Sequence, residues 1–82
     1  RIGANPVALL VYYNKIRNDP NEVEYQFGET RDNLDRTLTI DKATETARSD
    51  QPEDGIFRTT AGRIVHRARR EKEWPQNGMI AS

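Results

Sequence analysis

The stretch Asn5-Pro6-Val7-Ala8-Leu9-Leu10-Val11-Tyr12-Tyr13-Asn14-Lys15-Ile16-Arg17 decides the fold, because it reads either as a helix or as a strand. Asn5 is a good N-cap, and Pro6 suits the first helical position, where its missing N–H is an orphan anyway. Leu9, Tyr12, Tyr13 and Ile16 fall at i, i+3, i+4 and i+7, which is one helix face. The uninterrupted apolar run from Val7 to Tyr13 also fits a buried strand. The length through Arg17, the cap chemistry and the stop at Pro20 favour the helix. The expected first element is therefore helical.

Outward from that stretch the pattern changes period. Val23, Tyr25 and Phe27 alternate with Glu24 and Gln26, as in a half-buried strand. Leu38 and Ile40 alternate with Thr37, Thr39 and Asp41, which predicts a second strand over roughly 36–42, paired with the first as an antiparallel hairpin. Residues 43–54 contain no large apolar side chain and read as a mobile acidic loop. Asp54 is placed to cap a helix in which Phe57, Ala61, Ile64, Val65 and Ala68 form an apolar stripe. That helix should end by Glu73, because Trp74 precedes Pro75 and residues before proline avoid the α region. Met79 to Ala81 supplies a possible short C-terminal strand. The expectation is one small two-layer α+β domain over 1–82, in the order α-β-β-α, with both helices on one face of the sheet. A two-stranded sheet is marginal alone. A third strand or a second copy of the chain would have to complete the core, and a homodimer is the expectation.

Composition excludes several classes. The chain has 82 residues, and Leu, Ile, Val and Phe number only 16 of them, near the level at which chains stop folding alone. Zero formal net charge opposes disorder, which usually needs self-repulsion as well. No apolar run approaches the roughly 18 residues of a membrane-spanning helix. Without cysteine there is no disulfide framework and no thiolate zinc site, and a reducing, cytoplasmic setting is expected. Arg1 to Pro6 is too short and polar to read as a signal peptide. The neutral total hides a split: residues 1–17 carry +3, residues 18–54 carry −7 and residues 55–82 carry +4.

The fragments NPVALLVYY (5–13), EVEYQFG (22–28), DRTLTIDKAT (35–44) and WPQNGMIAS (74–82) together resemble small uncharacterised proteins of actinobacterial genomes. The resemblance spans nearly the whole chain. It implies a bacterial source and brings no activity, ligand or catalytic residue with it.

Catalytic chemistry finds little support. His66 is the only histidine, and a catalytic histidine needs an orienting partner and a proton to move. Its helical position, with Arg63, Arg67 and Arg70 and away from the apolar stripe, predicts exposure. Ser49 and Ser82 lack a nucleophile-elbow context. The acids Asp32 and Asp35, and Asp50, Glu53 and Asp54, fit no calcium loop. No phosphate-cradling glycine motif and no HExxH is present. The expectation is no enzyme, no cofactor and no metal. The sharpest positive feature is the row Arg63, Arg67 and Arg70 at i, i+4 and i+7, a stripe of about 10 Å along the helix. Arginine forks suit carboxylates and phosphates. These three residues, with Trp74 as a candidate anchor, are the expected partner-binding residues. The function expected is a non-catalytic interaction or regulatory module that binds a protein partner or itself. The alternative is nucleic-acid binding through helix 59–73, which the acidic middle of the chain would oppose.

Overall fold

The computed structural model describes residues 9–81. Its elements are β1 (Leu10–Asn18), β2 (Glu22–Gly28), β3 (Arg36–Asp41), β4 (Ala47–Arg48), α1 (Gly55–Glu71) and β5 (Asn77–Ala81). The strands form one antiparallel sheet in the order β4-β3-β2-β1-β5, and α1 packs across one face. The class is α+β with two layers, but the order is β-β-β-β-α-β. The expected α-β-β-α order is therefore wrong at its first element. Residues 10–18 are a strand, while the proposed cap at Asn5-Pro6 lies outside the described residues.

The register explains the misreading. Val11 and Tyr13 point under the helix and are buried, as period-two alternation requires. Tyr12 points to the opposite face, yet it is also covered, because Arg31 from the β2–β3 loop lies 5.3 Å over its ring. At Ile16 the pairing with β2 slips by one residue between Lys15 and Arg17, a bulge that leaves Ile16 exposed. A strand apolar on both faces and bulged near its end imitates the i, i+3, i+4, i+7 spacing of a helix.

The other elements follow their patterns. Val23, Tyr25 and Phe27 of β2 and Leu38 and Ile40 of β3 all face the core. The antiparallel hairpin joining them has the expected form. Its loop folds back over Gly28, where an added Cβ would overlap the Asn33 carbonyl oxygen, so only glycine fits. Asp54 caps α1 by accepting from the Phe57 amide at 3.0 Å, and Lys72 closes the helix in the left-handed region. Phe57, Ala61, Ile64, Val65 and Ala68 are buried, as the stripe predicts.

Residues 43–54, expected as a mobile loop, carry β4 and are tied to β3. Ser49 donates to the Thr37 carbonyl at 2.6 Å, and Arg36 reaches both the Pro52 carbonyl and Asp54. Five of the eleven acids between residues 18 and 54 are matched in space by arginines. Arg17 pairs with Asp19, Glu22 and Glu24; Arg48 with Glu22; Arg69 with Glu45; Arg36 with Asp54. Of these, Arg17 and Arg69 bring positive charge from the flanking segments onto four of the acids. Five strands and a helix also supply one core within a single chain, so the argument for a second copy from a two-stranded sheet no longer applies.

Candidate functional site

The three expected contact arginines lie on the flank of α1 that faces β5. They meet very different surroundings. Arg67 is half buried and committed within the chain. Its Nη1 donates to Tyr13 Oη at 2.9 Å and to the Asn77 carbonyl at 2.7 Å, and its Nε donates to Glu71 at 2.9 Å. Those bonds to Tyr13 and Glu71 raise its pKa further above the ordinary value. Arg67 is thus a latch between α1, β1 and β5. Arg63 and Arg70 are exposed. Arg63 has no ion-pair partner among the described residues, and Arg70 has only Glu71 at 3.8 Å. These two are the guanidiniums available to a partner.

The fourth expected residue, Trp74, is half buried against the core and is no exposed anchor. It belongs to a strap that returns the chain from α1 to β5. Tyr25 Oη, buried beneath it, donates to the Pro75 carbonyl at 2.6 Å, and Lys15 Nζ donates to the Trp74 carbonyl at 3.2 Å. Burial raises the pKa of the Tyr25 phenol above its ordinary value. The strap sets the position of β5 relative to the arginine row.

His66 is exposed, as expected, and among the described residues it has no hydrogen-bonded acid or nucleophile. No group of three or more His, Cys, Asp or Glu side chains is placed to hold a metal ion among the described residues. No helix among them is long and apolar enough to cross a membrane.

What sequence reasoning missed is β5 itself as part of the site. Among the described residues it is the outermost strand on its side of the sheet. Its five residues, NGMIA, carry no charge and no proline. The opposite edge is blunted, because β4 is only two residues long. Lys15 N donates to the Gln76 carbonyl at 2.7 Å, which fixes the hydrogen-bonded pairs of β1 and β5 at Lys15–Gln76, Tyr13–Gly78 and Val11–Ile80. The same alternation turns the main chain of Asn77, Met79 and Ala81 outward. The bond from Arg67 to the Asn77 carbonyl agrees with that direction.

Two hollows flank this edge. The one on the helix side, about 370 Å³, is lined by Tyr13, Arg63, His66, Arg67, Arg70 and Met79, with Glu71, the carboxylate that Arg67 engages, at its wall. The one on the open face, about 460 Å³, is lined by Tyr12, Asn14, Arg31, Leu34 and Met79. Met79 belongs to both and is 54 % exposed, the most exposed of the large apolar side chains among the described residues. A glycine precedes it for a steric reason. A Cβ at Gly78 would come 2.6 Å from Arg67 Nη1 and would also overlap Tyr13 Oη. The basic flank can pack this closely against β5 only over a glycine.

No family model matches the chain, no curated protein matches it, and no solved structure matches it.

Proposed function

We propose that this chain is a non-catalytic interaction module whose contact surface is the Arg63 and Arg70 flank of α1 together with the edge of β5. The observation that carries the reading is the placement of two exposed guanidiniums beside an uncharged edge strand, Arg63 without an ion-pair partner among the described residues and Arg70 with only the long contact to Glu71. Of the other exposed arginines, Arg17, Arg48 and Arg69 meet carboxylates, Arg58 donates to the Glu53 carbonyl and Arg31 lies over the Tyr12 ring. The absence of an orienting acid or nucleophile near His66 among the described residues leaves no constellation from which to build a reaction. The absence of cysteine supports a reducing, cytoplasmic setting. An acidic protein surface suits the flank better than a nucleic acid does. Two free arginines neutralise too few phosphates for tight binding, and the chain as a whole is neutral.

Co-purification with the wild-type chain and with the Arg63→Glu, Arg70→Glu double variant, each with and without nuclease, tests the reading. A protein retained through nuclease treatment by the wild type and lost by the double variant is expected. Retention of the same proteins by both forms refutes it. A captured fraction that disappears with nuclease refutes it in favour of nucleic acid.

A further inference from the structure

Resting on the interaction reading above, we infer that the edge of β5 takes up an extended segment of a partner protein as a sixth strand, and that this segment alternates acidic and apolar residues. Three features of the structure combine in this assignment. First, the main chain of Met79 and Ala81 faces outward from the sheet, so an added strand finds donors and acceptors in ladder register. Second, successive side chains of a strand point to opposite faces, and the two faces beside β5 differ in chemistry. Residues opposite Gly78 and Ile80 would project to the helix side, where Arg63 and Arg70 line the hollow. Residues opposite Met79 and Ala81 would project to the open face, where Tyr12, Leu34 and Met79 line the other, with the Arg31 guanidinium laid over the Tyr12 ring. Third, the charge selects the occupant. Carboxylates at alternate positions meet guanidinium forks on one face, and aliphatic side chains cover apolar surface on the other.

The same geometry disfavours a second copy as the occupant. Pairing β5 with β5 about a two-fold axis would set both Arg63 and Arg70 flanks beside each other, with no carboxylate row between them. It would bring to each arginine flank no counter-charge beyond its own Glu71, which Arg67 already engages. The occupant assigned is therefore an acidic strand of a different protein.

The probe is a capped octapeptide of alternating Glu and Val, titrated into the isotopically labelled 82-residue chain and followed by amide shifts and hydrogen exchange. Two controls separate charge from strand addition. A Lys–Val repeat reverses the charge. A Glu–Pro repeat keeps the charge but lacks the N–H at the positions that would bond Met79. Met79→Pro removes the outward donor of β5 without touching its pairing to β1, and edge strands tolerate proline at such positions. Circular dichroism confirms that this variant and the Arg63→Glu, Arg70→Glu double variant are folded.

The expected result is saturable binding of the Glu–Val peptide, with exchange at the Met79 and Ala81 amides slowed by roughly tenfold or more at saturation. Neither control peptide should bind. Met79→Pro and the double arginine variant should each weaken binding by roughly tenfold or more at about 50 mM salt, where screening is modest. No saturable binding of the Glu–Val peptide overturns the inference. Equal binding of the Glu–Pro peptide, or equal binding by Met79→Pro, also overturns it, and leaves the broader reading of an arginine contact surface standing. Concentration-dependent protection of Met79 and Ala81 without any peptide overturns it in favour of a second copy. Binding that is indifferent to the double arginine variant counts against both readings.

Discussion

Thr60 sits in the middle of α1, facing the sheet, with no exposure to solvent. Its Oγ1 is buried and has no hydrogen-bond partner among the described residues. Thr60→Val keeps the shape of the side chain and replaces the hydroxyl with a methyl. Leaving a hydroxyl buried without a partner costs roughly 1–3 kcal/mol relative to one that is satisfied. Threonine and valine have nearly the same helix propensity, and both are β-branched, so the backbone terms cancel. The added methyl stays in the same envelope and creates no cavity. The net expectation is a gain of about 1–2 kcal/mol. For a domain of this size 1 kcal/mol moves Tm by roughly 4–8 °C, so the midpoint of thermal unfolding followed at 222 nm should rise by about 4–16 °C. Urea unfolding should show a higher midpoint at an unchanged slope, the mark of a stability change without a change in compactness. Thr60→Ser supplies the opposite sign. It keeps the unsatisfied hydroxyl and loses a buried methyl, at a cost of about 1 kcal/mol. A fall or no change in Tm for Thr60→Val refutes the reasoning. It means that the hydroxyl bonds back to a carbonyl of the preceding helical turn and is satisfied after all.

Other predictions follow from single sites. Gly62 is exposed in the interior of α1 with open space around its Cβ position, so Gly62→Ala should stabilise by about 0.5–1 kcal/mol, read from the urea midpoint. Gly28→Ala should cost about 2–3 kcal/mol, because the new Cβ meets the Asn33 backbone and the loop must move; the same urea series measures it. Acid should destabilise the fold. Hydrogen bonds and arginine partners hold Asp19, Glu22, Asp41, Glu45 and Asp54 below their ordinary carboxylate values, so the native state binds fewer protons than the unfolded chain. Their contribution is complete at neutral pH and is lost as pH falls below about 4 and through the folded values, which urea midpoints taken down to acid pH will follow. At the alkaline end, burial raises the Tyr25 pKa. Stability should therefore fall as pH rises past about 10, where the unfolded phenol ionises first, and Tyr25→Phe should flatten that fall. The same variant should lose about 1–2 kcal/mol at neutral pH, because the Pro75 carbonyl is left without its buried donor.

Much of the fold was legible wherever one face of an element is buried and the other is wet. β2 alternates Val23, Tyr25 and Phe27 with polar residues and was readable from that alone. The buried face of α1 follows its apolar stripe, and Asp54 announces its start. β1 was not legible, because the β2–β3 loop covers Tyr12 from the second face and the bulge at Ile16 breaks the period of two. β4 has two residues and leaves no periodic signal. The site was half legible. The arginine row could be read along the helix, but its division into a latch and two free side chains could not. That division depends on Tyr13 and Asn77 meeting Arg67 across contacts distant in sequence. The exposed edge of β5 was hidden for the same reason. Strand order comes from non-local pairing, and nothing in NGMIA states which neighbour it lacks.

The claim on which the functional reading depends is that β5 presents a free, outward-facing edge. Hydrogen exchange of the chain alone, residue by residue along 77–81, tests it most directly. Gly78 and Ile80, paired with Tyr13 and Val11, should exchange slowly, while Met79 and Ala81 exchange at rates close to those of an open chain at every protein concentration. Slow exchange at Met79 and Ala81 in the protein alone would contradict the account, because the edge would then already be covered.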